Sequence, residues 1–480
     1  MSDSYSMRLL AALLVVVVFV SACSNGDQAS VPEALATGED TGRALVTPGD
    51  DTQAEDGDVE VTDAGESASD APDGTTEANV EDERGDADPS TEDAVQGDAG
   101  DGELDVSEVE SAVPAGEPTT NQDVSEAVRQ APSTSALDTL VSDLMAYVEV
   151  ERGLRFQERP DVVVLNSAAF ANEFTEIVAR EIAANQAQLN NNTDVYRALG
   201  LIEAGDDLGD IRTGFGDDGI VAHYDEQSEQ IFLRDGDLDA LTETALVHEL
   251  VHVVEDQNFG LDRPEYDARS DEVEWTFSSI TEGSARVIEQ RYRDTLSSAE
   301  QGEEAQAFAT IAPTISLDDF TLSFLELQFG RHRFGQQFVD ALWDAGQREL
   351  DQALTEPPSS SEAVVNPDVF LSGTATTPSI DAPPADGDVF DQGTWGQAGF
   401  AAIFADVFGR DEAVEISQGW GADSYVAWRA GEGVCVRIHV SADSAAALDG
   451  YAEALEQWAT LGDREIFFPT ADLIRLTSCG

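Results

Sequence analysis

The sequence predicts an α+β fold: a mostly helical core that holds a small mixed sheet, followed by an α+β C-terminal part. Three observations carry this expectation. Long stretches at 238–257 and 271–296 place apolar residues at helical spacing. Short apolar or alternating runs at 162–165, 230–233 and 434–440, bounded by Gly, Asp and Ser, have the period of strands. A change of composition near residue 135 separates all of these from an N-terminal quarter without periodicity, and no internal repeat is found.

Residues 7–23 start with Arg8 close behind, continue as an apolar run and end in Val20-Ser21-Ala22-Cys23. That is the build of a secretory signal, too short and wrongly flanked for a membrane span. The ending resembles the lipobox of bacterial lipoproteins. The resemblance implies that 1–23 is a signal peptide, that Cys23 is acylated, and that the body lies outside the cytoplasm, anchored to the cell membrane through an N-terminal lipid. An uncleaved hydrophobic anchor is the alternative, and it leaves the body on the same side. Residues 24–135 are Asp, Glu, Gly, Ala, Ser and Thr with scattered Pro. Such a segment buries too little apolar surface to offset its chain entropy, so it reads as an acidic, disordered, self-repelling tether.

The body divides into a core, 136–355, and a C-terminal part, 356–480, that completes it. Leu137, Leu140, Leu144 and Val148 begin an amphipathic helix. A buried strand follows at 162–165 and a helix at 168–186. Strands at 219–223 and 230–233 form a hairpin across Asp225-Glu226-Gln227-Ser228. The helices at 238–257 and 271–296 come next, then two more within 317–354, ended by Pro357-Pro358. Residues 356–388, rich in Pro, Ser, Thr and Asp, read as irregular. A helix at 396–408, strands at 424–428 and 434–440, a helix at 442–459 and strands at 465–468 and 473–477 make up the rest. Cys435 and Cys479 are an even pair in an exported domain, which predicts one disulfide.

The formal charge is −73, and all 24 basic residues are arginine, with no lysine. The excess of acid extends beyond the tether into the body. Nucleic acid and anionic membrane surfaces would be repelled, so neither is a partner.

Chemistry is concentrated in His248-Glu249-Leu250-Val251-His252. Histidines four apart on a helix project from one face and can grip one ion, and Glu249 is then placed to take a proton from a water that the ion acidifies. The bland reading is two helix histidines in an ordinary core. Against it, Leu246, Val247, Leu250, Val251, Val253 and Val254 mark a buried helix, where a bare Glu249 is costly without a functional reason. A zinc hydrolase needs a third protein ligand. After His252 the next histidine is His332, too far for the short spacing of metzincins. Glu282, on the next helix beside Gly283, Ser284 and Ala285, is the candidate, in competition with Glu272, Glu274 and Glu289. Those small residues predict close approach of the second helix to the first, running antiparallel. Asp256, one turn beyond His252, is either a carboxylate that orients a ligand histidine or a solvated cap.

This pattern resembles the gluzincin, or thermolysin-like, zinc metallopeptidases. More narrowly, the 248–257 stretch, Glu282-Gly283-Ser284-Ala285, the run Pro357-Pro358-Ser359-Ser360-Ser361-Glu362 and Gly419-Trp420-Gly421-Ala422-Asp423 resemble a group of bacterial lipoproteins predicted to be metallopeptidases. The resemblance spans roughly residues 220–440. It implies a zincin-like fold, one Zn²⁺, a peptide or protein substrate, and an edge strand at 219–223 that pairs with extended peptide. Asn366 stands where that group leads one to expect a histidine, so the position is no ligand. For the donor that steadies a developing oxyanion, His223, His332, His439, Tyr292 and Tyr425 are candidates. His439 alternates with Val434, Val436, Ile438 and Val440 and so faces away from the core. Two other readings stand beside the peptidase: a non-catalytic surface-binding lipoprotein that keeps a zincin-like fold, and a zinc hydrolase of a non-peptide substrate.

Overall fold

Leu137, Val141, Leu144 and Val148 are buried along one stripe of α1 (Thr134–Arg152), the first element of a computed structural model that describes residues 134–480 except 218, 268–269, 312–319, 375–378 and 432. The signal peptide with Cys23 and the tether lie outside the described residues. β1 (Asp161–Leu165) and α2 (Ser167–Ala184) follow, the helix capped by the Asn166 side chain on the Ala169 N–H. Two further helices, α3 (Gln186–Leu199) and α4 (Leu208–Phe215), occupy a stretch where the sequence shows no clear period. In α3 the run Asn190-Asn191-Asn192 interrupts the apolar pattern, yet Leu189, Val195, Ala198 and Leu199 are buried.

β2 (Ala222–Asp225) and β3 (Gln230–Arg234) form the expected antiparallel hairpin, although β2 begins three residues later than predicted, because Gly219 holds a positive φ. β1 pairs with β3 in parallel, so this mixed sheet has the order β1-β3-β2 and leaves β2 at an edge.

Two long helices pack beside that edge. α5 (Ala240–Phe259) is capped by Asp239; after the short α6 (Pro264–Asp267), α7 (Asp271–Thr295) is capped by Ser270. Contacts between Glu243 and Tyr292, His248 and Glu289, and Glu255 and Ser284 show that the two run antiparallel, as expected. Arg152 of α1 joins the packing with its guanidinium on Glu255. α8 (Ser298–Ile311) leads to α9 (Leu322–Ala345) and α10 (Gln347–Thr355). Here one expectation is corrected. Gly283 does not serve the approach to α5; a Cβ there would lie 2.3 Å from the backbone of Gly335, and a Cβ on Gly335 would lie 1.9 Å from the Ser279 carbonyl oxygen. The glycines bring α7 against α9, while Ser284 reaches α5 through its hydroxyl on Glu255.

The region expected to be irregular holds two single-turn helices, α11 (Glu362–Val365) and α12 (Pro367–Leu371), and the edge strand β4 (Asp388–Gly393). Beyond it come α13 (Gly396–Phe408), α14 (Arg410–Ser417), β5 (Trp420–Ala430), β6 (Gly433–Ala442), α15 (Ala445–Ala459), β7 (Arg464–Thr470) and β8 (Leu473–Cys479). The strands form an antiparallel sheet of order β4-β5-β6-β8-β7. Val434, Val436, Ile438 and Val440 face a core with Phe400, Phe404, Tyr451 and Trp458. Cys435 and Cys479 sit opposite each other on β6 and β8 and are joined by a disulfide. The architecture is thus α+β, and residues 134–480 belong to one compact unit. No described helix is long and apolar enough to cross a membrane.

Candidate metal centre

α5 is buried along nearly its whole length, so its two histidines are fixed by the packing of their neighbours rather than by solvent. One turn apart, they bring Nε2 of His252 to 3.2 Å from Nε2 of His248. From α7, Oε2 of Glu282 lies 3.6 Å from the same His248 nitrogen. Donors about 2.0–2.2 Å from a tetrahedral zinc ion stand about 3.3–3.6 Å from one another. The two separations made with His248 are thus close to those of such a site, all three donors lie within 4.8 Å of one another, and among the described residues His248, His252 and Glu282 are the group that could hold a metal ion. Two imidazole nitrogens and one carboxylate oxygen are also the donor set of zinc hydrolases.

Behind the first histidine stands Glu289, whose Oε2 lies 3.0 Å from His248 Nδ1. A carboxylate only accepts, so Nδ1 carries the proton and Nε2 is the nitrogen left for the ion. Burial opposes ionisation of Glu289, but Arg286, the bond from His248 and Arg293 outweigh it and hold the carboxyl well below the usual range. Arg293 in turn bonds Glu304, which accepts from Thr244 on α5. A continuous chain of charge-assisted bonds thus orients His248.

Of the two readings of Asp256, the carboxylate that orients a histidine is corrected, while the half-buried cap is close to what is found. Asp256 touches neither histidine; it accepts from the Tyr224 hydroxyl at 2.7 Å and from the Leu261 N–H at 2.7 Å. α5 has turned Asp256 towards β2 instead. The contact still matters to the site, because the backbone N–H of Tyr224 donates to Glu249 Oε2 at 2.8 Å. Glu249 Oε1 has no hydrogen-bond partner among the described residues. Burial, opposed by His248 and the Tyr224 N–H, pushes the Glu249 carboxyl up to about 7.

The remaining protonation states follow from burial against charge. Burial depresses His252 to about 3, with His248, His223 and His332 adding to it against Glu282. At His248 burial is overcome by Glu282 and Glu289, which raise it to about 9. Glu282 resists burial through His332, His248 and His252 and stays well below the carboxylate range.

Of the proposed oxyanion donors, two reach this neighbourhood. His332, on α9, places Nδ1 3.3 Å from Glu282 Oε2, and neither ring nitrogen has a hydrogen-bond partner among the described residues. His223, on β2, is buried, feels the charge of Glu282 and leaves Nδ1 unpartnered. The other three are elsewhere: Tyr292 bonds Glu243, Tyr425 bonds Asp391, and His439 contacts the Asp381 carbonyl on the outer face of the C-terminal sheet. Glu272 and Glu274, the other competitors for the third ligand, lie at the far end of α7, where Glu272 accepts from Ser361. Sequence reasoning missed the roles of Glu289 and Tyr224. The first had a signal, since Glu289 lies two turns after Glu282 on the same helix face; a backbone donor such as Tyr224 has none. Compared with known proteins, the chain matches no family model, no curated protein and no solved structure.

Proposed function

We propose that this chain is a zinc-dependent metallopeptidase of zincin-like fold, exported and held at the bacterial membrane by lipid on Cys23. The observation that carries the reading is Glu249: it neighbours the three-donor cluster, one oxygen is pinned by a backbone N–H, and the other is unpartnered. A purely structural ion has no use for such a base. Zinc in the cluster would supply an acidified water and polarise a carbonyl.

The chain's own groups do the rest. Glu249 accepts a proton at Oε1 while Tyr224 keeps its Oε2 in place, and the burial that raises its pKa poises it near neutrality. His248 is held in one tautomer by Glu289. His332 and His223 offer N–H donors to the oxygen on which charge develops. β2 lies at the edge of its sheet and Tyr224 turns its N–H away from β3, but that N–H is taken by Glu249 and all four residues of β2 are buried, so the strand presents no exposed backbone for an extended peptide to pair with.

Glu249→Gln tests this directly. The amide is nearly isosteric but cannot take the proton, so the variant should keep one zinc per chain and lose about 10²–10⁴-fold in kcat on an unfolded-protein or peptide-library substrate. Wild-type cleavage by the variant would sink the assigned role. A zinc-loaded wild type that cleaves no peptide would leave a binding protein or a hydrolase of other bonds.

A further inference from the structure

One helical turn from the metal ligands lies a cavity of about 90 Å³ whose walls include Tyr196, Trp275, Arg331, Phe334, Trp395 and Tyr425. A water needs about 10–15 Å³ on this scale, so the space admits a side-chain-sized group. Its position is set by two adjacent residues of α9. His332 meets Glu282, and Arg331 donates from Nη1 to Ser278 Oγ at 3.1 Å, where Ser278 lies four residues before Glu282 on α7. A helical turn rises about 5.4 Å, less than two residues of extended peptide.

Arg331 is buried, 1% exposed, and its Nε and Nη2 have no hydrogen-bond partner among the described residues. Those two atoms form the edge of a guanidinium that accepts a carboxylate side-on, through two parallel bonds. Leaving them bare in the interior is costly, and a ligand carboxylate would remove that cost. Glu274 and Glu282 offset the charge of Arg331 electrostatically, but neither bonds this edge.

Two of the three acids in the cavity wall are engaged otherwise. Glu326 pairs with Arg333 and Arg410. Glu272 accepts the N–H and hydroxyl of Ser361, and burial pushes it up to about 8. Asp271 is pushed up to about 6 by burial and by Asp391. A second donor, the indole N–H of Trp395, is also unpartnered among the described residues.

Two sequence motifs that the metal chemistry leaves unexplained converge on this wall. Ser361, from the 357–362 run, links Glu272 to the Ala398 N–H of α13. Asp423, from the 419–423 run, accepts the backbone N–H groups of Trp395 and Gly396 and the Trp420 indole. Asp423 holds the backbone of Trp395 in the cavity wall, and Ser361 fixes Glu272 there.

We propose that this cavity is a substrate pocket selective for a carboxylate, with Arg331 as its specificity-determining residue. This rests on the peptidase reading for the word substrate. The carboxylate comes from an acidic side chain or from a peptide C-terminus, and the chemistry at Arg331 is the same.

Three capped or uncapped pentapeptides titrated into the full chain by calorimetry separate the possibilities: an amidated peptide with one Glu, the same peptide with Gln, and the Gln peptide with a free C-terminal carboxylate. Zinc-free protein should bind the Glu or the free-acid peptide about ten- to a hundredfold more tightly than the neutral one, the scale of hydrogen bonds to a charged group. Arg331→Gln should erase the difference and leave zinc stoichiometry intact, while Arg331→Lys, which keeps charge but loses the fork, should restore part of it. Equal binding of all three peptides by the wild type would overturn the proposal even if the variants fail to fold. So would a preference that survives Arg331→Gln, or one present only with zinc, since the carboxylate would then sit on the ion. Acid preference in a chain that hydrolyses nothing would remove the peptidase and keep the pocket; hydrolysis without acid preference would do the reverse.

Discussion

At the scale of residues, the centre depends on which carboxylate does what. Glu282 faces the donor nitrogens and Glu289 faces the back of His248, although both lie on one face of α7. Their loss should differ accordingly. Glu282→Ala should remove a ligand and abolish tight zinc binding, whereas Glu289→Gln should weaken it about 10–100-fold, the usual effect of an outer partner. Glu274→Ala should leave it unchanged. Chelator competition measures all three, and wild-type affinity in Glu282→Ala would discard the site. The motif at 248–252 is legible because helical spacing alone puts the histidines on one face; the small residues that pointed to Glu282 do mark a tight crossing, but Gly283 makes it with α9 and not with α5. The division of labour between Glu282 and Glu289 was not legible, since it depends on where α5 crosses α7. The choice between the two readings of Asp256 was not legible for the same reason: spacing fixes its turn on α5 but neither the Leu261 N–H it caps nor the Tyr224 hydroxyl it meets.

At the scale of elements, the crossing of α7 and α9 leaves no room for a side chain at Gly283 or Gly335. Overpacking a core costs about 1–3 kcal/mol, and the upper end or beyond applies to Gly335→Ala because its Cβ would meet backbone that cannot step aside. Thermal unfolding should show that loss. Gly302→Ala is the matched control: it lies in α8 with nothing within 4 Å, so it should stabilise by about 0.5–1 kcal/mol. Equal melting temperatures for the two variants would mean that the helices are not in van der Waals contact there. Elements with a sustained period, such as α5, α7 and α13, were legible in the sequence. α3, α8, α14 and β4 were not. Asparagines blur the first, α8 is mostly polar with Glu304 its buried residue, and β4 is an exposed edge strand held by pairing with β5.

At the scale of the whole molecule, buried carboxyls set a pH dependence. Burial raises Glu181 and Glu272 to about 8 in the folded chain, against an ordinary value near 4.5 when unfolded. Between those values the folded state holds protons that the unfolded state has released, so stability falls as pH rises towards 8. His248, raised to about 9, acts in the same direction above its ordinary 6.5. Zinc-free protein should therefore unfold at lower denaturant at pH 8 than at pH 6.5, and Glu272→Gln should flatten the slope; a rise in midpoint would contradict the protonated interior. Attachment is tested separately: Cys23→Ser should move the protein from the membrane fraction to the soluble one or leave a longer precursor, and unaltered partitioning would point to an uncleaved anchor. The disulfide reaches further than its strands. It closes a loop over residues 435–479 that contains Leu461, exposed in the turn between α15 and β7 and so a natural point of attack for a protease. A single nick in that loop would free no fragment, since both pieces stay joined through Cys435 and Cys479. Damage would accumulate silently, visible on a gel only after reduction.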